Sequence, residues 1–203
     1  MDIAQSVEKG TIMLRMVAAF VVAVALAPTV VKTADAESQR FTLSSPAFID
    51  DAMLPLKYAG GVSCGSDSRG GDISPPLAWS SPPAGTKSFA VLMIDPDGQR
   101  GIGSVHWVAY GIPAERRELK EGEGEMPPTA DITNGKNSRG TMGYIGPCGP
   151  PADAPHHYVI DIIALDLAPD AFQPGLEREQ LLKSIAGHSL GPASLVVRYR
   201  REP

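Results

Sequence analysis

Nineteen prolines and twenty-one glycines are spread through the 203 residues, and they limit the fold more than any other feature. Proline inside a helix removes a hydrogen bond and clashes with the preceding turn, and glycine weakens a helix through lost backbone entropy. A chain interrupted this often cannot form a helical bundle. The segments left between the breaks are short and strand-like. SFAVLMID (88–95), VHWVAYGI (105–112), HYVIDIIALDL (157–167) and SLVVRYR (194–200) are rich in β-branched and aromatic residues and are predicted strands. SFAVLMID is almost wholly apolar, which predicts a central strand covered on both faces.

One helix is predicted over 176–186, where Leu176, Leu181, Leu182 and Ile185 recur near helical spacing and Gly187 supplies a C-terminal cap. Long loops are expected at 60–76, 96–104, 113–140 and 141–156, and loops of that length carry function or are tied down elsewhere. ELKEGEGEMPP (118–128) reads as polar and exposed, and the arginines at 116–117 and at the C-terminal end read as solvated strand ends. The fold class expected is mainly β, in a single domain over 37–203 with few helices.

GHSLG (187–191) fits the Gly-x-Ser-x-Gly pattern of a serine-hydrolase nucleophile elbow. An elbow needs a strand, a sharp turn and then a helix, with the acid and histidine later in the chain. Here a predicted helix comes first and a strand follows. Downstream of Ser189 there is no histidine, and the sole acid is Glu202. The better reading of the segment is a capped helix entering the last strand.

Arg15 precedes MVAAFVVAVALA, twelve residues from Met16, and Ala34 and Ala36 stand at the −3 and −1 positions of a small-residue cleavage site. The run is short for a bilayer span, so residues 1–36 are expected to be a secretory signal peptide, cleaved after Ala36, with a periplasmic or secreted mature protein. Asp2 and Glu8 make the leading region unusually long. Initiation at Met13 or Met16, or retention as a membrane anchor, are the alternatives. An exported chain meets oxidising conditions, so Cys64 and Cys148 are the candidate disulfide. The net charge of −5, with no run of Lys or Arg, argues against a nucleic-acid partner. No basic amphipathic helix marks a membrane-binding face in the mature part.

Polar chemistry gathers at three strand ends: IDPDG (94–98), GSVHWVAYGIP (103–113) and GYIGPCGPPADAPHHYVIDIIALD (143–166). Strand alternation puts His106 opposite Trp107, and His156 with Tyr158 opposite His157. Trp79 and Trp107 are expected in the core. A carboxylate beside an imidazole favours the protonated ring. Two such rings, a tyrosine hydroxyl and backbone N–H groups at glycine turns would suit an anion such as a phosphate monoester.

GDISPPLAW (71–79), PAGTKSFAVLMIDPD (83–97), VHWVAYGIP (105–113), GYIGPCGPP with HHYVIDIIALD, and HSLGPASL together resemble the phosphatidylethanolamine-binding protein family, and more narrowly its bacterial Raf kinase inhibitor-like branch. The resemblance runs from Phe41 to Arg200. It implies a large antiparallel sheet packed with a smaller one, peripheral helices, and a surface pocket for phosphate, phosphoethanolamine head groups or acetate. By motif the pocket would use Asp95, His106, Gly149, Pro151, His156 and Tyr158. Asp95 would orient a histidine, the histidines would hold anion oxygens, and Tyr158 and the Gly149 N–H would donate. The sequence departs from the family pattern at Gly98-Gln99, where Ala-Pro is common, and at His157, where Arg is common.

The function expected is therefore an exported, non-enzymatic anion-binding module without a cofactor, taking a phosphate or carboxylate ligand and regulating a protein partner. The enzymatic alternatives are a metal-dependent hydrolase using Asp95, His106 and His156 as a two-His-one-carboxylate site, and a serine hydrolase acting through Ser189.

Overall fold

The computed structural model describes residues 40–61, 64–65, 69–127, 131–150 and 154–201. The expected signal peptide and Pro151 lie outside them. Nine strands occur in chain order: β1 (Thr42–Ser44), β2 (Ala52–Met53), β3 (Leu77–Ser80), β4 (Ser88–Asp95), β5 (Ser104–Pro113), β6 (Glu118–Leu119), β7 (Thr133–Asn134), β8 (His156–Leu165) and β9 (Ser189–Tyr199). A four-residue turn of helix, α1 (Gly98–Gly101), follows β4, and α2 (Arg178–Ser184) precedes β9.

Two sheets form, with strand orders β1-β3-β6 and β2-β9-β8-β4-β5-β7. The fold is mainly β with few short helices, as expected. The four long predicted strands become the centre of the large sheet, joined by antiparallel ladders. β4 lies between β5 and β8, and every residue of it except Ile94 is buried. Its two faces serve two cores. Phe89, Val91 and Met93 pack with Leu77, Trp79, Trp107 and Ile160 on the side of the small sheet. Ala90 and Leu92 pack with Val108, Tyr110, Leu181 and Ile185, which brings α2 onto the opposite face. Each large apolar side chain removed from water contributes about 1.5–3 kcal/mol, so double-sided burial makes β4 the strand on which the sheet is assembled.

α2 is shorter than the sequence pattern predicts. Its start is set by a capping box in which Glu177 and Gln180 satisfy each other's backbone N–H. Gly187, at φ 81°, turns the chain out of the helical region. The five short strands escape sequence reading because two to four residues carry no measurable period.

The segment 118–128 is mostly exposed over its described residues, as expected, but Leu119 and Gly124 are buried. Leu119 is buried in β6, and Gly124 lies so close to Trp107 that an added Cβ would sit 2.5 Å from the ring. Arg116 is not a solvated strand end either: its guanidinium bridges Glu123 and Asp131. Trp79 and Trp107 are both core residues.

Register decides where the polar ends meet. Asp95, the last residue of β4, pairs with Ser104 at the start of β5, and Ile94 pairs with Val159 near the start of β8. The two flanking strands therefore begin where β4 ends, and three predicted polar segments arrive at one edge of the sheet. The loop before β8 closes over that edge. Gly146 passes so near Ala59 and Gly60 that a Cβ would fall 2.3 Å from their backbone atoms, whereas one on Gly149 would meet nothing within 4 Å. Gly146→Ala is expected to cost about 1–3 kcal/mol through overpacking and lower Tm by several degrees, while Gly149→Ala leaves Tm unchanged; thermal unfolding of the two variants checks this.

Candidate functional site

Asp95 is a carboxylate buried at the end of an apolar strand, and it is fully engaged. Its Oδ1 accepts N–H bonds from Asp97 (3.0 Å) and Gly98 (2.9 Å), the arrangement of an Asx-type turn. Its Oδ2 accepts from His156 Nδ1 at 2.9 Å. A carboxylate has no proton to give at neutral pH, so the proton shared between the two groups sits on His156 Nδ1.

Ring orientation at His106 follows from a similar constraint. Its Nδ1 lies 2.9 Å from the Ile145 carbonyl, which can only accept, so Nδ1–H donates and Nε2 holds a lone pair when the ring is neutral. Burial pushes the His106 pKa below its ordinary value; the Ile145 hydrogen bond and Asp95 oppose the shift, and Arg139 adds to it. Sequence reasoning expects two protonated rings. The structure corrects that for His106, because desolvation penalises the charged form more than a neighbouring carboxylate supports it.

Tyr158 stands edge-on to His106, with ring centroids 5.1 Å apart. Its hydroxyl is buried and makes no hydrogen bond of acceptable geometry, although it is close enough to Asp95 to feel its charge. Burial first, and then that carboxylate, push its pKa far above the ordinary phenol value, so the hydroxyl is a committed donor.

These side chains meet around an open cleft of 260 Å³, walled by Asp95, His106, Gly149, His156 and Tyr158. Five of the six predicted site residues thus share one concavity. His157, as strand alternation requires, faces away: its Nδ1 and backbone N–H both reach Asp97 Oδ2, at 2.9 and 2.8 Å. The hydrogen bonds to His157 hold Asp97 below its ordinary pKa. Gly98 and Gln99, where the sequence departs from the family pattern, form part of the rim. Gln99 and Arg100 occupy the left-handed region, at φ 50° and 61°.

Sequence reasoning missed Ser104, Ser138, Arg139 and Ile145 as parts of the wall, and read Cys148 only as a disulfide candidate. Ser138 and Arg139 belong to a turn inside the long 113–140 loop. Its Asn-Ser-Arg-Gly sequence signals a turn but not what the turn faces. Cys148 and Cys64 lie side by side, with Cα atoms 5.5 Å apart, within the span that a disulfide bridges. The cleft's Gly-Pro wall is fastened by Asp72, whose two carboxylate oxygens accept N–H bonds from Gly61 (2.9 Å) and Gly146 (3.0 Å).

Residues 44–200 match the profile of the family described as phosphatidylethanolamine-binding protein. The chain belongs to the phosphatidylethanolamine-binding protein family. It is 36% identical to a UPF0098 protein of Methanothermobacter thermautotrophicus over 162 residues, covering 78% of this chain and 98% of the relative. A UPF0098 protein of Aquifex aeolicus is 38% identical over 133 residues, covering 66% and 77%. Among solved structures, Escherichia coli YbcL, described as a new member of the mammalian PEBP family, superposes with a TM-score of 0.72 at 30% identity, over 80% of this chain and 99% of YbcL. The Chlamydia trachomatis homologue CT736 gives 0.68 at 30% identity, over 81% and 100%.

Within this member of the phosphatidylethanolamine-binding protein family, the enzymatic alternatives meet structural obstacles. Among the described residues no group of three His, Cys, Asp or Glu side chains is placed to hold a metal, and both oxygens of Asp95 are already engaged. Ser189 opens a strand after a helix, the reverse of an elbow, and the adjacent His188 gives its Nδ1 to Asp166 at 2.8 Å. No helix among the described residues is long and apolar enough to cross a membrane.

The lowered His106 pKa makes acid stability a test of its burial. A histidine with a folded pKa below its unfolded value stabilises the fold above about pH 6.5, and that contribution is lost as pH falls through the folded pKa. Tm should therefore drop as pH is lowered below about 6.5, and His106→Gln should flatten part of that drop; melting curves of both proteins from pH 8 to pH 4 provide the comparison.

Proposed function

We propose that this protein is an exported, non-enzymatic binding module of the bacterial Raf kinase inhibitor-like branch, whose cleft takes a small phosphate- or carboxylate-bearing ligand such as a phosphoethanolamine head group and so regulates a protein partner. The observation that carries the reading is the Tyr158 hydroxyl, a buried donor on the cleft wall that makes no hydrogen bond of acceptable geometry and whose carboxylate neighbour, Asp95, is already engaged by three other donors. A buried polar group left unsatisfied costs about 1–3 kcal/mol, and a ligand oxygen would recover that cost. Around it, His156, oriented by Asp95, would contact a second ligand oxygen. Neutral His106 would instead accept from a ligand group that carries a proton, such as the P–OH of inorganic phosphate. Pro151, which lies outside the described residues, is retained in the proposal as a ligand-contacting residue on the motif resemblance alone.

Export is supported by the N-terminal pattern and by the likeness to LppC of Mycobacterium tuberculosis, a candidate lipoprotein by name, 34% identical over 159 residues. In an oxidising compartment Cys64 and Cys148, 84 residues apart in sequence, would close a disulfide that fastens the cleft's outer wall.

Tyr158→Phe separates binding from folding, because it removes an unpaired hydroxyl and keeps the ring. Its Tm should equal or exceed that of the wild type, while its Kd for inorganic phosphate, measured by calorimetry, should rise about 10-fold, as for the loss of one hydrogen bond to a charged group; unchanged affinity would refute the role. For the cysteines, the native protein should show no titratable thiol, and the Cys64→Ser/Cys148→Ser double variant should lose about 4 kcal/mol in denaturant unfolding, the entropy of a long closed loop.

A further inference from the structure

Arg139 is a charged residue of the cleft wall that no family motif assigns. It sits in a turn with little freedom to move. Asn137, buried, donates its side-chain N–H to the Thr141 hydroxyl (2.9 Å) and the Gly143 carbonyl (3.0 Å), and its Oδ1 accepts from the Arg139 backbone N–H (2.9 Å). Ser138 is bonded in both directions to Val105, one residue before His106: its N–H donates to the Val105 carbonyl at 2.9 Å, and its hydroxyl accepts from the Val105 N–H at 2.7 Å. The turn is thus fastened to the strand that carries His106.

The guanidinium lies on the cleft wall against Cys148 Sγ, with Cys64 Sγ 3.5 Å away. It forms no ion pair with a carboxylate among the described residues, in contrast to Arg116, which holds two. Its charge reaches His106, where it disfavours protonation. Arginine presents several N–H donors in a planar fork that matches phosphate oxygens, and it stays charged at every physiological pH.

A charge count divides the work. His106 is neutral. His156 is hydrogen-bonded to the Asp95 carboxylate, so the pair offers no net positive charge. An acetate carries one negative charge on two oxygens, whereas a phosphate monoester carries close to two at neutral pH. We propose that Arg139 is the specificity-determining residue of the cleft, supplying the permanent charge that selects a phosphate monoester dianion over a carboxylate. The inference rests on the anion-binding reading given above and names the ligand class that the cleft prefers.

Wild type, Arg139→Gln and Arg139→Lys are titrated at pH 7.5 with O-phosphoethanolamine, inorganic phosphate and acetate, by calorimetry and by NMR of the histidine rings. Arg139 is exposed and outside the core, so Tm of all three should agree. The expected result is a loss of 10-fold or more in affinity for both phosphate ligands in Arg139→Gln, with acetate weakened by 3-fold or less and the phosphate preference partly restored in Arg139→Lys. Equal loss for phosphate and acetate, or no loss for either, in a wild type that does bind phosphate, overturns the selector role and leaves the anion-binding reading standing. A wild type that binds none of the three overturns both. Similar behaviour with phosphoethanolamine and inorganic phosphate assigns recognition to the phosphate group, and a stronger Arg139 effect with phosphoethanolamine assigns it to the head group.

Discussion

The carboxylate of Asp95 is the interaction on which the rest of the cleft depends. A buried carboxylate without partners costs several kcal/mol, so the chain must bring donors to it. Two come from the turn immediately after β4 and one from His156, sixty-one residues further on. Satisfying Asp95 therefore shapes the Pro96–Gly98 turn and turns the first ring of β8 inward. Asp72 plays a comparable part on the opposite wall, joining Gly61 to Gly146 through the same chemistry. Two carboxylates that hold backbone and ring donors give the cleft its outline before any ligand enters.

Within that outline the groups differ in what they can do, and the differences come from surroundings rather than residue type. His106 and His156 have the same side chain. One is buried against a carbonyl and kept neutral; the other faces a carboxylate that can balance a positive charge. His157, adjacent in sequence, is turned outward by strand alternation and is occupied with Asp97. Tyr158 is a buried donor whose hydroxyl makes no hydrogen bond of good geometry beside the already engaged Asp95. Such a set combines ring and hydroxyl donors with one acceptor around a single cleft.

Much of the large sheet was legible in the residues. The four long strands declare themselves because each holds eight or more residues of one pattern, long enough for apolar content and alternation to stand out. The short strands of the small sheet are not legible, since LAWS or EL could belong to any turn and are made strands by their neighbours. The segment around Leu119 and Gly124 misled for a related reason: its acidic composition suggests solvent, yet Glu123 serves the buried end of Arg116 and Gly124 is pressed onto Trp107. For the site, motif resemblance pointed to Asp95, His106, Gly149, His156 and Tyr158, which line the cleft together. It could not point to Arg139, because a turn residue reaches the site only through the hydrogen bonds of Asn137 and Ser138 to distant segments.

By itself the sequence determined the class of fold, the central position of β4, and the side of each strand on which a histidine would lie. These are consequences of local patterns with periods of two to four residues, and they need no knowledge of distant neighbours. Tertiary structure decided which polar ends converge, which imidazole is desolvated, and which arginine stands over the cleft. Those outcomes depend on burial and on electric fields from residues far along the chain, and such quantities exist only once the chain has folded.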